Sequence, residues 1–125
     1  MTDVGRLRAT TVYRADETPV CERCVVADTA PTRLKGLLGR PRLGTDEGLL
    51  IRPTSAIHTC FMRFPIDVVF LDRRLVVVGV VTDLRPWRFA ARRGAKSVLE
   101  LAAGEIARRG IRAGERLRLS DPVLG

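Results

Sequence analysis

The sequence predicts a mostly β domain: a compact β-sandwich, jelly-roll-like or barrel-like unit with one short helix near residues 29–38 and one helical turn near 105–109. Three observations lead there. Apolar runs of strand length recur along the chain, and Gly, Pro and Asp punctuate them as turn signals. Two of these runs, 66–71 and 75–82, are apolar at consecutive positions, as expected of central strands covered on both faces. Helical spacing is confined to short stretches, chiefly Leu34, Leu37 and Leu38 at i, i+3 and i+4.

The elements follow in order. Residues 10–14 form a short β-prone segment, and 16–19 a turn. In 20–27, Val25 and Val26 favour a strand. Asp28 and Thr29 are candidate N-caps, Pro31 suits a first helical turn, and Gly39 suits the left-handed residue that ends a helix. After a loop over 41–48, residues 48–52 read as a strand ended by Pro53. Residues 55–62 read as a strand broken at Pro65. Asp72, Arg73 and Arg74 alone separate the two central runs, which predicts a hairpin without the usual Asn-Gly or Asp-Gly loop. Gly79 inside the second run marks a bulge or a close backbone approach. A basic loop covers 84–96, then come a strand at 97–101, a helical turn at 104–110 with Ile106 facing in, and a last strand at 116–119. The expected organisation is a single domain: an N-terminal strand and turn over 1–19, a main body over 20–119 and a tail over 120–125.

With 125 residues the chain has the size of one hydrophobic core. Apolar residues at 46% and charged residues at 29% exclude disorder as the default. The start, 1–13, carries Asp3, Arg6 and Arg8 without a continuous apolar stretch, and the longest apolar run, 75–81, is far below the roughly 20 residues of a membrane helix. The expectation is a cytoplasmic protein without a membrane span. Cys21, Cys24 and Cys60 would then be reduced, and three is the wrong number for a closed disulfide framework. The net charge of +8 invites an anionic partner. Yet the cations are 20 Arg against Lys35 and Lys96, and they are spread along the chain, so nucleic acid is a possible partner rather than the leading one.

Several residues are candidates for chemistry. Asp67 lies among apolar neighbours on a central strand and needs a charged partner or several donors. Arg63 and His58 could supply the first. Backbone N–H groups could supply the second, and this structural reading is preferred. On a regular strand His58, Cys60 and Met62 would share a face, which permits a Cys60 nucleophile with His58 as base and Asp67 as orienter. Packing of Cys60 beside a hydrogen-bonded His58 is the preferred alternative. Glu100 faces away from Leu99 and Leu101, into solvent or onto a concave face with Asp67, where paired carboxylates could do acid–base work. Cys21 and Cys24 have knuckle spacing, and with His58 and Cys60 they could make a Cys₃His zinc site. Residues i and i+3 of a strand point to opposite faces, however, so the expectation is no cofactor, with zinc as the alternative. The loop Arg85, Pro86, Trp87, Arg88, Phe89 interleaves aromatics with arginines, as a site for an anionic partner does.

The order of motifs resembles one known family. RLKGLLGR at 33–40, GLLI at 48–51, HTCFMRFPIDVVFLD at 58–72, VLEL at 98–101, Gly104, and GIRAGERL at 110–117 are similar to the domain of unknown function 192 family over about 20–119. The resemblance implies a compact β-sandwich or jelly-roll-like fold with small helical decorations, and no settled activity. Many such proteins look exported or lipid-anchored, which the start of this chain does not match. Ala102-Ala103-Gly104 stands where the family often has a Pro before Ala-Gly, and neither the Trp87 loop nor the Cys21/Cys24 pair belongs to the general pattern.

The sequence contains no Gly-rich phosphate loop and no nucleophile elbow. The preferred function is a non-catalytic binding or accessory domain for a small anionic, sugar-like or polymeric ligand, with Arg63, Asp67, Trp87, Arg85 and Arg88 as binding candidates. The alternatives are a hydrolase-like enzyme using Asp67, His58 and Glu100, and nucleic-acid binding through the Trp87 loop.

Overall fold

A computed structural model describes residues 8–28 and 41–120 of the chain. The helix expected over 29–38 lies outside those residues. Nine strands and one short helix are described: β1 (Arg8–Arg14), β2 (Pro19–Ala27), β3 (Glu47–Ile51), β4 (Ala56–His58), β5 (Ile66–Leu71), β6 (Val77–Leu84), β7 (Phe89–Ala91), β8 (Ser97–Ala102), α1 (Glu105–Arg109) and β9 (Leu117–Leu119). Seven strands form one sheet in the order β6-β5-β8-β3-β2-β1-β9, and β4 and β7 form a second, two-stranded sheet. All pairings are antiparallel except β2 with β3. The fold is mostly β, and its large sheet is curled. β1 is integral to that sheet, with β2 on one side and β9 on the other.

The curl brings the two outer strands together. Val76 and Arg116 form an isolated bridge, and backbone hydrogen bonds run from Val77 N to Glu115 O (2.8 Å), Gly114 N to Val77 O (2.7 Å) and Leu117 N to Leu75 O (2.9 Å). Each face of the sheet carries its own apolar cluster. The first joins Val12, Val20, Cys21, Cys24, Leu50, Val69, Leu71, Leu99, Leu101, Ile106 and Leu117, with others. The second joins Leu49, Ile51, Val68, Phe70, Val98 and Met62 with Ile57, and Ala90 of the small sheet packs against it. Alternation divides each strand between them: Val69 and Leu71 of β5 go to the first, Val68 and Phe70 to the second.

All six residues of β5 are buried, so it is covered on both faces as its sequence predicts. β6 is buried at Val77, Gly79 and Leu84 but open at Thr82 and Asp83, so it is only partly covered. It also starts later than expected. Leu75 belongs to the turn, with φ 64°, because Asp72 Oδ1 accepts the N–H groups of Arg74 (2.8 Å) and Val76 (3.0 Å) and holds the loop closed without a glycine. Gly79 accounts for both readings of its sequence: the pairing slips between Phe70 and Leu71, and a Cβ at Gly79 would lie 2.2 Å from Arg92 Nε.

The strand expected over 55–62 is overturned in its second half. Pairing stops at His58, and residues 60–61 form a turn with Phe61 at φ 68°. His58, Cys60 and Met62 therefore do not share a strand face. In the basic loop, β7 is a strand that the sequence reading missed. Among the described residues no helix is long and apolar enough to cross a membrane.

Candidate functional site

The most exposed large apolar side chains among the described residues are Phe61 (70%), Trp87 (57%) and Phe89 (70%). They come from two loops that one buried residue ties together. Thr59, fully enclosed, donates its hydroxyl to Arg85 O (2.6 Å) and accepts Arg88 N–H at Oγ1 (2.8 Å). Its backbone N–H reaches Arg88 O (2.9 Å), and its carbonyl accepts Trp87 N–H (3.0 Å) and Met62 N–H (3.1 Å). Phe61 and Trp87 both take left-handed backbone conformations, φ 68° and 65°, which cost bulky residues energy and persist only where surrounding contacts enforce them. Their rings meet at 4.6 Å between centroids, tilted by 59°. Phe89 stands opposite His58 in the β4–β7 pair. Arg63, Arg85 and Arg88 are exposed in the same two loops. Arg88 Nη1 donates to Trp87 O (3.3 Å), and Arg85 Nε lies 3.7 Å from Asp83 Oδ2. The result is an aromatic tip edged with guanidinium groups.

Asp67 lies apart from this tip, within the sheet. Its carboxylate is fully buried and accepts three backbone N–H groups: Asp83 at Oδ1 (2.9 Å), and Gly104 (3.0 Å) and Ile106 (2.9 Å) at Oδ2. It joins the end of β6 to the first turn of α1, where unpaired N–H groups need an acceptor. Gly104 cannot supply one, having no side chain, and it takes φ 96° to enter the helix. Inside α1, Glu105 is bound by Arg108 (2.6 and 2.8 Å) and Arg109 (2.9 Å), and the Arg108 hydrogen bond holds its carboxyl below the usual range.

Glu100 is buried, 3% exposed, on the other face of the sheet. Val68 pairs with Glu100, and Glu100 with Leu49, so its neighbours across the sheet are apolar. Among the described residues no hydrogen bond reaches its carboxyl, and burial pushes that group up to about 8. Asp67 pairs with Leu101 and Val68 with Glu100, so the two acids alternate onto opposite faces. The concave face shared by Asp67 and Glu100 is thereby overturned. His58 is exposed on β4, its Nδ1 accepting the backbone N–H of Cys60 (3.2 Å). The contact is to Cys60's backbone rather than its thiol, so no nucleophile–base pair is formed there. Asp67, His58 and Glu100 do not converge.

Cys21 and Cys24 do come together, against the strand-phase expectation. Thr10 pairs with Cys24 and Val12 with Cys21, so three steps of β2 match two of β1. That bulge brings both thiols into the first apolar cluster. Cys21 and burial push the Cys24 thiol up. Gly48 makes room beneath them, since a Cβ there would lie 2.7 Å from Cys21 Sγ. Among the described residues no three His, Cys, Asp or Glu side chains are grouped to hold a metal, so the Cys21, Cys24, His58, Cys60 set is not assembled.

The sequence reading singled out Trp87, Arg85, Arg88 and Arg63, with Phe89 in the same loop, but missed Phe61 and Thr59. The signal for Thr59 was weak: a lone threonine before a Cys-Phe-Met run reads as strand.

Comparison with known proteins places these features in a wider set. The model of the DUF192 family, described as uncharacterized ACR, matches residues 11–119. A UPF0127 protein of Thermococcus sibiricus is 36% identical over 89 residues, 67% of this chain and 57% of the relative, so the match spans little more than half that protein's length. A solved structure from Sinorhizobium meliloti, provisionally described as a transcription regulator, superposes with a TM-score of 0.78 at 21% identity over 90% of this chain and 93% of its own. Another, of unknown function from Novosphingobium aromaticivorans, gives 0.76 at 22% identity over 94% and 97%. At such identities the two structures share the fold.

Proposed function

Because this chain belongs to the DUF192 family, whose description assigns no activity, we propose from its geometry a non-catalytic binding module that holds an anionic ligand with a planar or apolar face at the Phe61–Trp87–Phe89 tip. The observation that carries this reading is the cost of the display. Two bulky aromatics sit in left-handed backbone conformations, in contact with each other and largely in water, while a buried threonine holds both loops in place. Exposed rings offer stacking surface, and Arg63, Arg85 and Arg88 beside them offer two-pronged donors for phosphate or carboxylate oxygens. Single-stranded nucleic acid combines base faces with phosphates, as do smaller aromatic anions.

The hydrolase-like alternative loses support because its three residues lie in separate places. Asp67 spends its oxygens on three backbone amides, Glu100 faces the opposite side of the sheet, and His58 is in solvent.

Trp87 is the only tryptophan and sits in the tip, so its emission reports directly on occupancy. Titration with oligothymidylate is expected to quench it, with affinity falling steeply as salt rises. Phe61→Ala combined with Trp87→Ala, followed by anisotropy of labelled oligothymidylate, should weaken binding by about tenfold or more. Absence of quenching by oligothymidylate and also by phosphatidylglycerol vesicles would refute the reading, as would undiminished binding by the double variant.

A further inference from the structure

At the far end of the β5–β6 ribbon from the aromatic tip, the meeting of the sheet's edges leaves a cleft of about 490 Å³. Its lining comes from the end of β1 and the following turn (Arg14, Ala15, Glu17), the β5–β6 turn (Arg74, Leu75) and β9 with Arg116 before it. The cleft follows from the closure itself. Among the described residues, backbone pairing between the edges runs from Leu75–Val77 to Gly114–Leu117 and no further. Beyond Leu117, β9 pairs with β1 and no longer with the turn, so the two edges part around an apolar floor of Leu75, Leu117 and Leu119.

Among the described residues, four guanidinium groups line this space against one carboxylate. Two are committed to the fold. Arg14 binds Glu115 Oε1 through Nε (2.5 Å) and also reaches the carbonyls of Arg109 and Gly110, while Arg118 pairs with Glu17 and covers the Tyr13 ring at 4.6 Å. The other two, Arg74 and Arg116, have no side-chain hydrogen bond or ion pair among the described residues. The carboxylate, Glu17, is already neutralised by Arg118. What the described residues leave at the cleft is two exposed guanidinium groups without a protein partner beside an apolar floor, in a volume within the range of small-molecule sites. A guanidinium group presents paired N–H donors that match the oxygens of a phosphate or carboxylate, and the leucines suit the body that carries it.

We propose that this cleft is a second binding site, for a small organic anion whose phosphate or carboxylate head is gripped by Arg74 and Arg116 while its apolar body rests on Leu75, Leu117 and Leu119. It does not rest on the aromatic tip, which lies at the other end of β5 and β6, and either site can fail without the other.

The test is an NMR titration of the ¹⁵N-labelled full chain with 1-naphthyl phosphate, compared with inorganic phosphate and 1-naphthol. Naphthyl phosphate should move the amides of Leu75, Arg116, Leu117 and Leu119 in a saturable way, inorganic phosphate more weakly, and naphthol least. Arg74→Ala with Arg116→Ala should weaken binding by about tenfold or more. Both side chains are exposed, and the amide spectrum itself reports whether the variant is folded. Trp87→Ala should leave the titration of these cleft amides unchanged, whatever it does to binding at the tip. The proposal is overturned if these amides do not move at millimolar naphthyl phosphate, if naphthol binds as tightly, if the double variant binds as well as the parent, or if the shifts map to Phe61 and Trp87 instead.

Discussion

Replacing Asp67 with Asn tests how much of the fold depends on one carboxylate. The side chain is fully buried and accepts three backbone N–H groups, one at Oδ1 and two at Oδ2. The shape of Asn is nearly the same, but one of its two terminal atoms is a donor. Its better orientation keeps the oxygen on Gly104 and Ile106 and turns the NH₂ toward the Asp83 N–H, setting donor against donor. Two charge-assisted bonds then become neutral ones, falling from about 1.5–3 to about 0.5–1.5 kcal/mol each. The third is lost, and an unsatisfied N–H costs about 1–3 kcal/mol. The expected loss is therefore about 3–6 kcal/mol, a large share of the roughly 5–15 kcal/mol that holds a domain folded. Urea unfolding followed by far-UV circular dichroism measures it, with the slope unchanged and the midpoint lowered. Hydrogen exchange should locate the loss at the amides of Asp83, Gly104 and Ile106. A loss below about 1 kcal/mol, within the range of ordinary surface substitutions, would refute the reasoning and return Asp67 to the candidates for chemistry.

Three further outcomes are expected. Glu100 is held protonated up to about pH 8 in the folded chain, against a reference of 4.5, so the folded state binds the extra proton between those values. Its contribution is complete below about pH 4.5 and is lost as pH rises toward 8, at no more than about 1.4 kcal/mol per pH unit. Glu100→Gln should thus match the parent near pH 5 and exceed it near pH 8.5 in urea midpoint, and a parent midpoint that is level across this range would contradict the burial argument. Gly48→Ala should cost about 1–3 kcal/mol, because its new Cβ meets Cys21 Sγ at 2.7 Å and the rigid Glu100 carbonyl at 3.0 Å. Gly79→Ala should cost less, since the obstacle is the exposed Arg92 side chain, which can swing aside; thermal melts that rank the two the other way would show the contact analysis wrong. With an aromatic disulfide reagent, half-buried Cys60 should react in the native protein, and Cys21 and Cys24 only with unfolding. Three thiols reacting together at native conditions would place the pair outside the core.

How much of this was legible in the sequence depended on the physics behind each feature. Residues 66–71 announced a doubly covered strand because burial on both faces demands apolar side chains at every position, with Asp67 the one exception that needed a special reason. The helical turn at 105–109 and inward-facing Ile106 were equally plain. The phase of Cys21 and Cys24 was not, because a bulge in β2 depends on how β1 pairs beside it and leaves no mark at Glu22 or Arg23. The separation of Asp67 from Glu100 needed the register of β5 on β8, a long-range fact. The tip was half visible. Trp87 among arginines stood out, but Phe61 read as strand because its turn is enforced by Thr59, whose partners lie 26 and 29 residues away.

The seam between Leu75–Val77 and Gly114–Leu117 has a consequence for synthesis. During translation the ribbon of β5 and β6 emerges long before the chain that completes its neighbourhood, and β1 waits longer still for β9. Until residue 119 clears the ribosome, both rims of the sheet offer unpaired backbone groups to any passing strand. Pairing of residues 114–119 covers β1 and the start of β6 together, so a nascent chain stalled near residue 110 would be the form most in need of a chaperone.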